Sequence, residues 1–150
     1  FGPNVELNRA MMVTILYRMA NTPEVEGTPA FADVPAGKYF TDAVIWATAN
    51  GISDGVSETN FAPYAPVSRE QMVTFLHRYA KLQGADVTVS DAAVLEQFPD
   101  HAQGSSWALE PFAWAVEQGI INGVDGSLAA ADTTTRAQVV VMLHRFILAQ

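Results

Sequence analysis

Three stretches of the chain share one pattern of apolar and polar positions: LNRAMMVTILYRMA (Leu7 to Ala20), VSREQMVTFLHRYA (Val67 to Ala80) and TTRAQVVVMLHRFI (Thr134 to Ile147). After Arg69, the apolar residues Met72, Val73, Leu76, Tyr79 and Ala80 fall at the i+3, i+4, i+7, i+10 and i+11 spacing of a single helix face. The third copy repeats the stripe with Val139, Val140, Leu143, Phe146 and Ile147. Asn8, Ser68 and Thr135 stand where N-caps are needed, and Gln71 completes a capping box with Ser68. Each stretch therefore predicts an amphipathic helix. Met12, Val13, Leu16, Val73, Leu76, Val140 and Leu143 are the residues expected to meet in a central three-helix bundle.

Each of these helices opens on an arginine: Arg9, Arg69 and Arg136. A cation in the first turn opposes the helix dipole by roughly 0.3–1 kcal/mol, so its position needs a reason. A second arginine follows nine residues later, as Arg18, Arg78 and Arg145. Nine steps of about 100° place it on the opposite, wetter face, where it suits ion pairing.

The repeat also has a front half, beginning at Phe31 and again at Phe98. In that register Asp33 pairs with Asp100, Tyr39 with Trp107, Trp46 with Trp114, Gly51 with Gly119 and Gly55 with Gly123. Short helices are expected over about 41–50 and 109–118, each ended by a glycine, with Pro111 tolerated in the first turn. The expected organisation is the back half of one repeat (1–20), a linker (21–30), a full repeat (31–83), a linker holding a helical turn near 91–97 (84–97), and a third repeat (98–150). Two helices cannot bury their stripes alone, so neighbouring repeats must supply the other wall. The fold class is all-α.

Composition narrows what such a fold does. Apolar residues make up 49% of the chain and charged residues 16%, which fits a packed globular protein. The net charge of −8, with no basic run, argues against nucleic acid and against anionic lipid. No apolar run reaches the ~20 residues of a membrane span, so membrane insertion is not expected. The chain has no cysteine, which removes disulfides and thiolate chemistry. Residue 1 falls inside a repeat and no signal peptide is visible, so the chain reads as a fragment or mature portion of something longer. No Walker loop, nucleophile elbow or dinucleotide fingerprint is present, and the chain is not expected to be an enzyme or to carry a cofactor. His77 and His144 occupy a repeat position held by Tyr17 in the first copy, which is an aromatic slot rather than a metal pair.

The elements FADV, WATANGISDG, FAP and VSRE, with their second versions FPD, WAVEQGIINGVDG and TTRAQ, closely resemble the S-layer homology (SLH) repeat; FGPNVELNRA resembles its back half. The resemblance covers nearly the whole chain apart from the linkers. It implies a pseudo-threefold, three-pronged domain at a bacterial cell surface or wall. It further implies non-covalent binding of an anionic secondary cell-wall polysaccharide, often through a pyruvylated sugar, and so anchoring of a surface-layer protein or surface enzyme. The family's arginine at the long-helix start contacts that sugar, which points to Arg9, Arg69 and Arg136. A guanidinium can hold a carboxylate through two parallel hydrogen bonds, and a helix N-terminus favours an anion. The chain departs from the family in lacking the glutamate after Arg-Ala, in Leu128-Ala129-Ala130 where Phe61-Ala62-Pro63 stands, and in His101 where Val34 stands.

The other candidate ligand residues each have a structural alternative. Asp33 and Asp100 could touch the ligand or cap turns. Tyr39 and Trp107 precede the short helices and could stack on a sugar face. Gly55 and Gly123 permit tight turns and could bring backbone amides near a ligand. The arginines themselves could instead bond the carbonyls of a neighbouring loop. A protein–protein or self-assembly module of a surface layer is the alternative function.

Overall fold

The computed structural model describes residues 2–150; Phe1, the first residue of the partial repeat, lies outside the described residues. Five α-helices and three short 3-10 turns are present among them, and no extended strand: α1 Arg9–Met19, α2 Thr41–Ala49, α3 Arg69–Leu82, α4 Leu109–Glu117 and α5 Arg136–Ala149. The all-helical expectation holds, and the three long helices α1, α3 and α5 start where the caps placed them. Asn8, Ser68 and Thr135 each accept a hydrogen bond from the backbone N–H three residues on, and α3 and α5 have complete capping boxes. Gly51 and Gly119 follow the short helices with φ of 70° and 72°, the left-handed conformation that ends a helix. The linker turn forms as a 3-10 helix, Ala92–Gln97, capped by Asp91 and packed on α4.

The chain divides into two compact units, Leu7–Val67 and Phe1–Glu6 with Ser68–Gln150. These boundaries are staggered by half a repeat, because a long helix packs on the short helix of the following repeat: α1 on α2, and α3 on α4. In the first unit Met12, Val13 and Leu16 are fully buried, and Tyr17 meets Trp46 at 5.6 Å between ring centroids. In the second, Val73 and Leu76 are fully buried, and His77 takes the tyrosine's place against Trp114 at 5.4 Å. The aromatic-slot reading of His77 therefore stands, and Trp46 and Trp114 are core residues.

Helix α5 corrects one expectation. Val140 is 53% exposed and Leu143 only half-buried, and Val141, Ile147 and Leu148 also face solvent. The buried residues of α5 are Val139, Met142 and Phe146, the last against Tyr79 and Trp114. No helix among the described residues packs on α5 as closely as α2 does on α1 or α4 on α3, so this part of its stripe stays wet. Helical spacing identifies an apolar stripe; a neighbour decides whether it is buried.

Candidate functional site

The arginines at the helix starts are where the repeat does its most specific work. Arg9 and Arg69 are both buried. Arg9 Nε donates to the Phe61 carbonyl at 2.9 Å, and Arg69 Nε donates to the Leu128 carbonyl at 2.8 Å, the equivalent residue one repeat on. The helix backbone points at the same loops. Arg9 and Ala10 donate their N–H groups to Ala65 and Pro63, Arg69 and Glu70 to Asp132 and Ala130, and Arg136 and Ala137 to Val5 and Pro3. The N–H groups at these helix starts, read from sequence as free for an anion, are thus already satisfied by loop carbonyls. Buried backbone donors must find partners, and these loops supply them. The negative ends of those carbonyls also explain why a cation is tolerated against the helix dipole.

Asp33 and Asp100 close the arrangement from the other side. Asp33 accepts from the N–H groups of Phe61 and Ala62, both at 2.8 Å. Asp100 accepts from Leu128 and Ala129 at 2.8 and 2.9 Å. One residue per repeat is thereby held at both ends, its N–H by aspartate and its C=O by arginine. The clamp matters because Ala62 and Ala129 have φ of 58° and 53°, which costs a non-glycine residue of order 1–3 kcal/mol. Burial pushes the Asp100 carboxyl up, but the two backbone N–H bonds outweigh it and hold the group below the usual carboxylate range. Burial lowers both guanidiniums from their ordinary values, opposed by Asp33 at Arg9 and by Asp132 and Asp100 at Arg69. Both remain cations.

Gly55 and Gly123 are required by packing. A Cβ on Gly55 would stand 2.5 Å from Phe31 Cε1, and one on Gly123 2.9 Å from Phe98 Cε1 and 3.0 Å from the Ser127 carbonyl. Tyr39 is 58% and Trp107 50% exposed. Tyr39 lies edge-on to Phe40 at 5.1 Å. Trp107 sits on the 3-10 turn Ser106–Ala108, and Arg136 is half-buried.

In the second unit Arg69 opens onto a cavity of about 340 Å³, within the range of small-ligand sites. Its polar lining is Arg69, Arg145, Asn122 and Gln138; Ile120, Ile121, Val124 and Met142 contribute apolar wall, and Gly123 lies between. Of the residues expected from sequence, this cavity gathers Arg69 and Gly123, while Trp107 and Asp100 are not in its lining. Arg145, Asn122 and Gln138 line it without being singled out by the sequence pattern. The fixed offset of Arg145 in the repeat is the one signal that marks it, and helical spacing puts it on the wet face of its own helix. That face turns out to border the cavity, half-buried, with Nη1 3.4 Å from the Ile120 carbonyl. Among the described residues no three His, Cys, Asp or Glu side chains gather to hold a metal ion, and no helix is long and apolar enough to cross a membrane.

Helix starts pinned to the loops of the following repeat, with a two-arginine cavity beside one of them, define a helical-repeat module. The S-layer homology domain model matches residues 30–73 and 97–140, more than half of the chain, and the chain belongs to that family. It is 32% identical over 127 residues to the "Surface-layer 125 kDa protein" of Lysinibacillus sphaericus, covering 85% of this chain and 10% of that protein. It is 26% identical over 145 residues to the "Amylopullulanase" of Thermoanaerobacterium thermosulfurigenes and to the "Exoglucanase XynX" of Acetivibrio thermocellus. Those matches cover 96% of this chain but 8% and 13% of the enzymes, so they transfer no catalytic activity to it. The chain spans about a tenth of the curated relatives it matches. S-layer homology domains are cell-surface anchoring modules, and that coarse role is what family membership gives this chain.

Proposed function

We propose that this module holds a larger exported protein to a bacterial cell wall by binding an anionic secondary wall polysaccharide in the Arg69 cavity. The observation that carries this reading is the convergence of Arg69 and Arg145 on a cavity that also has two side-chain amides and an apolar wall. A sugar bearing a carboxylate, such as a pyruvate ketal, matches that lining: arginine for the carboxylate, Asn122 and Gln138 for hydroxyl or acetamido groups, and the isoleucines and Met142 for methyl groups. With a net charge of −8, an anion must be held by such placed groups rather than by the overall field. The test is sedimentation with wall sacculi. The protein should pellet with native sacculi and stay in solution once acid has stripped the polymer. Equal sedimentation with both would refute polymer binding.

Self-assembly is the second reading, favoured by the exposed Val140, Val141, Ile147 and Leu148 on α5. It requires association at micromolar concentration without any wall material, measured by analytical ultracentrifugation.

A further inference from the structure

Arg9 and Arg69 make the same Nε bond but finish differently. Arg9 Nη2 donates to Ser53 Oγ at 3.1 Å, and Ser53 is itself buried. The guanidinium carbon also lies 4.7 Å from the centroid of the Phe61 ring, a cation–π contact. The repeat register that pairs Gly55 with Gly123 puts Ile121 at the position of Ser53, and after the one-residue deletion past Gly123 it puts Leu128 at that of Phe61. Ile121 offers no acceptor and Leu128 no ring. Among the described residues the Arg69 side chain accordingly makes one hydrogen bond, through Nε, and it lines the cavity beside Ile121. A carboxylate held by two parallel bonds needs a whole guanidinium edge. Nε is committed in both arginines, which leaves the Nη1/Nη2 edge. In Arg9 that edge is already drawn on by Ser53; in Arg69 it is available.

We propose that the exchange of Ser53 for Ile121, with Phe61 for Leu128, decides which of these two arginines receives the anion: Arg69 binds it and Arg9 is structural. The assignment rests on the wall-polymer reading but is tested separately from it. The probe is sodium pyruvate, titrated at constant ionic strength into the 150-residue protein. Arginine side-chain 15N resonances report binding, assigned with Arg9→Lys and Arg69→Lys. The Arg69 resonances should shift and saturate while those of Arg9 stay still. Ile121→Ser, which offers Arg69 the partner Arg9 has, should weaken the Arg69 response about tenfold, the worth of one hydrogen bond to a charged group. Ser53→Ala should make Arg9 begin to respond. An Arg9 response equal to that of Arg69 in the unaltered protein, or a silent Arg69, overturns the proposal. If Arg69 alone responds yet the protein ignores native sacculi, the inference stands and the wall-polymer reading fails.

Discussion

Replacing Asp100 with alanine separates a ligand residue from a clamp. Its carboxylate accepts two backbone hydrogen bonds, from Leu128 at 2.8 Å and Ala129 at 2.9 Å. Bonds to a charged acceptor contribute about 1.5–3 kcal/mol each, but this carboxylate is only partly buried, so the lower end applies and solvent screening reduces it further. Water can replace part of the lost bonding at the loop surface, whereas Ala129, at φ 53°, is left without its restraint. The expected loss is about 2–3 kcal/mol, or roughly 4–12 °C in melting temperature for a chain of this size. Asp100→Asn should fall between, because the amide keeps one acceptor and turns a donor toward the other N–H. The effect has a pH signature. The folded carboxyl is held below its ordinary value, so its contribution is complete above the unfolded value near 4 and is lost as pH falls through the lower, folded one. Urea titrations of all three proteins at pH 7 and in steps below pH 4 measure both effects. If Asp100→Ala melts like the parent protein but loses sedimentation with native sacculi, Asp100 is a ligand residue and the clamp argument is wrong.

Val73 and Val140 occupy the same repeat position, so aspartate at each gives an internal control. Val73→Asp buries an unpaired charge and should unfold the protein or cost about 4 kcal/mol or more, while Val140→Asp should stay within about 0.5 kcal/mol. Equal destabilisation in thermal melts would mean that α5 is covered in solution, which favours the self-assembly reading. Burial lowers the pKa of His77, outweighing the attraction of Glu110 at 4.0 Å. Stability should therefore be complete above the unfolded value near 6.5 and decline as pH falls below it, since the unfolded chain takes up the proton first. His77→Tyr, which copies Tyr17 in the equivalent slot, should remove that decline from melting curves recorded between pH 7 and 5.

Much of this protein is local and could be read directly. Helix starts depend on a cap and the three residues after it, which is why Asn8, Ser68 and Thr135 mark the starts of α1, α3 and α5. Helix ends depend on a left-handed residue, which Gly51 and Gly119 supply. Periodicity and the repeat register together make the fold all-helical and pick out Arg9, Arg69, Asp33, Asp100, Gly55 and Gly123 as special positions. Their roles were not readable in the same way. The Arg9 bond to Phe61 spans 52 residues and the Arg69 bond to Leu128 spans 59, and no local pattern encodes which carbonyl lies at that distance. Tertiary packing therefore decided that the aspartates clamp loops, that helix-start N–H groups are already used, and that Val140 is wet where Val73 is dry. It also brought Arg145, from the supposed wet face of α5, to the same cavity as Arg69. Sequence sets which groups are available because capping and periodicity act within a turn or two; only the folded chain sets which of their donors remain unspent, because that depends on partners half a repeat or more away.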